Sequence, residues 1–234
     1  MHPLDALAAG PLRAADHVGR RGAGVRVAVI DSGVHPGHPH VGAVEPGVAF
    51  GANGTPGGDT VDRLGHGTAV AAAIRDHAPE AALVPVKVFD RELRATTAAL
   101  VAAIDWAVAA GVHVINLSLG TANAAHQPAL GAALVGAARA GISLIAADEQ
   151  DGVRWLPGSL PLAVGVTVDW ACPRNQATVE ISQEGAVRRV RLRASGYPRP
   201  IPGVPPERNL KGVSFAVANA SGLLCLYLSE RETP

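Results

Sequence analysis

The sequence predicts an α/β fold, a mostly parallel central sheet with helices on both faces, and three observations carry that expectation. Short β-branched runs recur along the 234 residues. Ala- and Leu-rich stretches of helical length separate them, with glycines at the joints. Strands alternating with helices in this way build βαβ units around a parallel sheet. Such a sheet is covered on both sides, which accounts for runs that are apolar throughout rather than alternating. The composition fits as well: 48% of the residues are hydrophobic but only 3% are aromatic, so the core must pack from Ala, Val, Leu and Ile.

Taken in order, residues 1–24 read as a short segment ahead of a single domain over residues 25–230. VRVAVI, residues 25–30, is a buried strand running into Asp31-Ser32-Gly33, a turn. Further strands are expected at 83–89, 112–117, 142–147 and 162–168, with helices at about 68–75, 96–110 and 127–140. Residues 177–181 and 187–192 read as hairpin arms around Gln183-Glu184-Gly185. YPRPIPGVPP, residues 197–206, is a surface loop by composition. Residues 213–228 form an apolar segment long enough for a buried helix. No fixed-period repeat and no linker divides the chain.

Charge and cysteine content narrow the function. Twenty basic and twenty acidic side chains give no net charge, which argues against a nucleic-acid partner. No apolar run reaches the roughly 18 residues that a membrane span requires. Cys172 and Cys225 are too few for a disulfide framework and are expected to be unpaired, Cys225 inside the last helix. The first residues contain acids and lack a long apolar stretch, unlike a secretory signal, so a cytoplasmic location is expected.

In an open parallel sheet the ligand crevice lies beyond the carboxyl ends of the strands. Three polar residues stand near such edges or at helix starts. Asp31 follows the first strand of the domain, His66 sits in Gly65-His66-Gly67-Thr68 before AVAAAI, and Ser214 sits in KGVSFA at the start of the last helix. The chain order Asp, His, Ser is one of those known for a nucleophilic triad.

The sequence resembles the subtilisin-like serine proteases, or subtilases. VAVIDSGVHPGHPHV is similar to the family's aspartate motif, GHGTAVAAAI to its histidine motif and GVSFAVANASG to its serine motif, with Val213 and Ala218 in place of the usual Thr and Pro. VINLSLG, residues 114–120, resembles the strand that binds substrate backbone, and LPLAVGVTVD, residues 160–169, resembles the strand after the oxyanion region. The resemblance covers about residues 25–228. It implies a subtilisin-like fold, a peptide or protein substrate and no cofactor. It also implies a serine endopeptidase acting through Asp31, His66 and Ser214, with Ser118, Leu119, Gly120, Ala147 and Glu149 against the substrate.

Physical reasons support those roles. A serine hydroxyl needs an adjacent base to become a nucleophile. His66 would take that proton and later hand it to the leaving amine, while Asp31 fixes the imidazole tautomer. The helix start would aim the Ser214 N–H at the developing oxyanion.

The sequence also departs from the family pattern. The family's second oxyanion donor is an Asn. Aligning on Gly152 puts Gln150 at that position, with Glu149 where Gly is usual; an alternative alignment puts Asp148 there. The cluster 148–151 reads either as a solvated acidic loop or as a preference for a basic residue before the cut. His40 stands where an aspartate of the family's calcium site is usual, and residues 73–79 leave no room for its loop, so no metal is expected. A rival metal reading would use His35, His38 and His40. Few residues precede the first strand of the domain, so no prodomain is expected. These features point to an intracellular processing protease, of the kind that in this family removes leaders from ribosomally made peptides. The alternative is a catalytically impaired subtilase fold that binds a peptide or partner.

Overall fold

Strand order places the crevice. The structure, a computed structural model, describes residues 3–229; Met1, His2 and Glu230, which fall within the two expected ranges, lie outside the described residues. In chain order the first elements are β1 (Gly10–Arg13), β2 (Arg26–Asp31), β3 (Val48–Phe50), β4 (Pro56–Gly57), α1 (His66–His77) and β5 (Ala82–Lys87). Next come α2 (Thr97–Ala109), β6 (Val114–Leu117), α3 (Gln127–Arg139) and β7 (Ser143–Ala147). The remainder are β8 (Glu149–Gln150), β9 (Val153–Arg154), β10 (Val164–Val168), β11 (Gln176–Glu184), β12 (Val187–Ala194) and α4 (Val213–Leu228).

Ten of the strands form one sheet in the order β1-β11-β12-β10-β7-β6-β2-β5-β3-β4. From β12 through β3 every neighbouring pair is parallel. Antiparallel β11 and β1 extend one edge and β4 the other. β8 and β9 form a separate hairpin. The α/β expectation is therefore met, and its elements lie where expected with ends shifted by one to three residues: α1 begins earlier, at His66 itself, whereas β6 starts later, at Val114.

Two cores flank the sheet. α1 and α4 pack on one face with Val27, Val29, Ile145 and Val166, while α2 and α3 pack on the other with Ala28, Ile30, Ile115 and Leu144. Consecutive strand residues thus enter opposite cores, as a two-sided parallel sheet requires. α4 is buried from Phe215 to Leu226, which explains why its sequence is apolar all round. The Thr96 hydroxyl caps α2 by accepting from the Ala99 N–H at 3.1 Å.

The short segment ahead of β2 packs on the same sheet and core: β1 pairs with β11, and Leu4, Leu7 and Leu12 are buried in the α1/α4 core. Arg20 ties this segment to the far end of the chain by donating to the Tyr227 carbonyl at 2.6 Å.

Candidate active site

Asp31 ends β2, with its side chain fully buried. Its Oδ1 accepts from the Ser32 N–H at 2.7 Å and lies 2.7 Å from Nδ1 of His66, the first residue of α1. Such a contact leaves Nε2 as the basic nitrogen. Gly67 permits this approach. A Cβ there would stand 2.1 Å from the Gly33 carbonyl oxygen and 3.1 Å from the Asp31 Cβ. Gly65, just before His66, has φ +81°, a backbone state that side-chain-bearing residues resist. The Gly-His-Gly pattern is thus a steric requirement of the pair.

Burial disfavours the charged form of His66, but the hydrogen bond and charge of Asp31, with the charge of Asp62 added, outweigh it. The imidazole pKa is therefore raised above its ordinary 6.5.

Asp62 was not singled out by sequence reasoning. Its carboxylate, only 9% exposed, accepts from the Ser32 hydroxyl at 2.8 Å, the Thr68 hydroxyl at 2.6 Å and the N–H groups of Leu64, Gly65 and Thr68. The Ser32 hydroxyl in turn accepts from the Gly67 N–H at 2.9 Å. Asp62 thereby stitches the loop before His66 to the turn after Asp31. Burial raises its pKa, but these hydrogen bonds prevail and hold it below the usual carboxylate value.

Ser214 lies in the first turn of α4, where backbone N–H groups have no intrahelical partner. The next residue, Phe215, has its ring centroid 6.0 Å from that of His66, so the serine and histidine segments adjoin. The Ser214 hydroxyl itself donates to the Ser118 carbonyl at 3.1 Å, and the Ser118 hydroxyl donates to the Ser214 carbonyl at 3.3 Å. Behind them Asn116 donates to the Ser118 hydroxyl at 2.9 Å and accepts from Ser221 at 3.0 Å. This buried chain of polar groups fixes the start of α4 against the end of β6. Asn116 and Ser221 were also missed, because each is an ordinary polar residue within an apolar run until the tertiary contact is known.

The expected substrate-contacting residues fall on two neighbouring segments. Ser118, Leu119 and Gly120 continue β6, while Ala147 ends β7 and Glu149 opens β8; β6 and β7 pair with Leu117 opposite Ala146. A third segment closes the gap: Thr121 and Leu156 exchange backbone hydrogen bonds at 3.0 and 2.9 Å, and the Trp155 N–H donates to the Asp148 carbonyl at 2.7 Å. Trp155 is a further residue of this wall.

Gln150 occupies β8, one arm of a hairpin turned by Asp151 and Gly152 at φ +53° and +77°. The Asp-Gly pair is the sequence signal for such a turn. The Gln150 amide donates to the Asp151 carboxylate at 3.3 Å. Asp148 departs from expectation. It is 2% exposed, not solvated, and its carboxylate meets the Arg189 guanidinium at 3.2 Å and the Arg191 Nε at 2.7 Å. With both oxygens so engaged it is not a bare charge facing an oxyanion. Of the acidic cluster only Glu149 and Asp151 are exposed.

Among the described residues, no group of three or more His, Cys, Asp or Glu side chains is arranged to hold a metal ion. His38 and His40 meet instead as a T-shaped ring pair 5.3 Å apart. Cys172 and Cys225 are free and buried, and burial pushes the Cys225 thiol up to about 12.

Such a sheet, with an acid–imidazole pair and a helix-borne hydroxyl gathered at its carboxyl edge, belongs to a serine-type endopeptidase. Comparison with known proteins makes the assignment specific: the chain belongs to the subtilase family, whose model matches residues 22–155. Subtilisin BL of Lederbergia lenta is 31% identical over 219 residues, which span 90% of this chain and 75% of that protein. Among solved structures, a cold-adapted subtilisin-like serine proteinase shares the fold at a TM-score of 0.65 and 23% identity, covering 89% of this chain and 77% of that one. The prenylagaramide maturation protease PagA matches at a TM-score of 0.64 and 26% identity, covering 92% of this chain and 78% of its own.

Proposed function

We propose that the chain is a cytoplasmic processing protease that cuts a peptide precursor by acyl transfer through Ser214, His66 and Asp31. The observation that carries this reading is the 2.7 Å contact between Asp31 and the His66 ring, beside a serine at a helix start. In the first step Ser214 Oγ leaves the Ser118 carbonyl, passes its proton to His66 Nε2 and attacks the scissile carbonyl carbon. The tetrahedral oxyanion is met by the Ser214 N–H, with the α4 dipole behind it, and by the Gln150 amide. His66 then protonates the leaving amine, and the ester remains on Ser214. Water repeats the sequence: it gives a proton to His66, attacks the ester, and the proton returns to Ser214 Oγ. Asp31 keeps its negative charge throughout and stabilises the imidazolium.

The similarity to a maturation protease supports a precursor peptide, trimmed of its leader, as the substrate class. The two free cysteines suit a reducing compartment. No helix among the described residues is long and apolar enough to cross a membrane.

A fluorophosphonate probe tests the nucleophile. The purified protein should gain one adduct, mapped by mass spectrometry to Ser214, and the Ser214→Ala variant should keep its circular dichroism spectrum while losing both adduct and peptide cleavage. A folded wild-type protein with no adduct would instead favour the peptide-binding fold without turnover, and unchanged cleavage by Ser214→Ala would overturn the triad.

A further inference from the structure

Arg75 lies in the last turn of α1, and its guanidinium donates to four backbone carbonyls at once. Nε reaches the Val41 oxygen at 2.9 Å and Nη2 the Ala43 oxygen at 3.0 Å, both in the loop that leads to β3. Nη1 reaches the Pro79 and Ala81 oxygens at 2.8 and 2.7 Å, in the link from α1 to β5. Among the described residues no backbone N–H donates to any of the four. The adjacent Asp76 is not a counter-ion, because its carboxylate meets Arg174 at 2.8 Å and Arg199 at 3.5 Å instead. Burial, with no acid to offset it, lowers the Arg75 pKa below its ordinary 12.5. A cation surrounded by carbonyl oxygens is an arrangement that proteins otherwise use for hard metal ions.

The two segments that meet on Arg75 are those in which the family's calcium site would fall: Val41 follows His40, and Arg75 and Pro79 lie within residues 73–79. The donors present do not suit that ion. Calcium takes about six to eight oxygens, carboxylates among them, at about 2.3–2.6 Å. These four oxygens are neutral and stand at hydrogen-bond distance from a flat fork of N–H groups, whose directions a metal ion cannot match. We infer that the four carbonyls form a cation site that the chain fills from within: the Arg75 guanidinium takes the place of a metal ion and fastens the end of α1, the helix that begins at His66, to the loop through Val41 and Ala43. The site selects a planar guanidinium over a metal ion or an ammonium group.

Chemical rescue tests the site. Arg75→Ala removes the atoms of N-ethylguanidinium, and a cleft of about 540 Å³ edged by His40, Val41, Ala43, Asp76, Pro79 and Arg199 opens the place to solvent. The thermal midpoint of the purified wild-type protein should not move with added calcium or with a chelator. Arg75→Ala should melt about 10 °C lower, since four carbonyls lose a charged donor. N-ethylguanidinium at about 10 mM should regain about 4 °C of that, the gain expected from a ligand of the folded state with a Kd of about 1 mM. Ethylammonium and calcium chloride at equal ionic strength should regain none. If Arg75→Ala does not fold unaided, its refolding yield in N-ethylguanidinium against ethylammonium reads the same preference. A midpoint unchanged by Arg75→Ala, a loss that N-ethylguanidinium repairs no better than ethylammonium, or a rescue by calcium would each overturn the inference. A wild-type midpoint that falls in chelator would overturn it too, because a metal ion would then still be required.

Discussion

His66 is held by opposing influences whose balance sets the working pH. Burial favours the neutral ring, while Asp31 and Asp62 favour the charged one and prevail. In its proposed role as general base the ring must be neutral, so kcat/KM should climb with pH through a midpoint above 6.5. The stability contribution of the same group runs the other way: it is fully present below the unfolded pKa and is lost as pH rises through the folded one. Asp31→Asn removes the principal raising influence, so the acid limb should move to lower pH and the rate should fall by about 10⁴, read from pH profiles of thioester hydrolysis. A limb unmoved by Asp31→Asn would separate the two residues functionally. Asp31 and His66 were legible in the sequence because each sits in a short contiguous motif whose glycines are dictated by local sterics. Asp62 was not, because its importance comes from accepting hydrogen bonds from Ser32 on one side and from Gly65 and Thr68 on the other.

At the scale of elements, the hairpin β11–β12 decides how the end of β7 is held. Arg189 and Arg191 on β12 both reach Asp148, which is joined backbone to backbone to Val166 of β10 at 2.9 Å. Arg189 also donates to the Ser159 carbonyl at 2.9 Å, so one buried guanidinium joins three segments. Removing it strips the buried Asp148 carboxylate of its buried partner, leaves only the half-exposed Arg191 beside it, and takes one donor from the Ser159 carbonyl. Arg189→Met should therefore cost about 3–5 kcal/mol in urea unfolding, whereas pairing it with Asp148→Asn should recover most of that loss. If the single and double variants are equally destabilised, the ion pair is not the source of the effect. The hairpin itself was readable from two alternating runs around a polar turn. Its contact with Asp148 was not, since an Asp among Glu149, Gln150 and Asp151 has the composition of a solvated loop and only the sheet order brings β12 near. The strands and helices of the parallel region were legible for the opposite reason: their apolar runs are continuous, and both faces of the sheet are covered.

The whole molecule is closed by its own beginning. β1 lies on the outer edge of the ten-stranded sheet, paired with β11, and the leucines around it fill the α1/α4 core. In the sequence residues 1–24 read only as a short segment because GPLR is too short and too polar to register as a strand. Leu12 is 5% exposed, and Leu12→Ala should lower stability by about 2–5 kcal/mol in denaturant titration. A change within 0.5 kcal/mol, the range of an ordinary surface substitution, would show that the segment is dispensable.

The order in which the parts leave the ribosome adds a meaning to that closure. Residues 10–13 must wait for residues 176–179 before they can pair, and α4, the central support of one core, is the last of the described elements. Contacts between such distant stretches make folding slow to complete. On the proposed triad, Asp31 and His66 are made early and Ser214 comes only with α4, so the three groups can meet only after residue 214 has been made. The proposed site therefore assembles only when the sheet and α4 do, because the topology draws its residues from both halves of the chain.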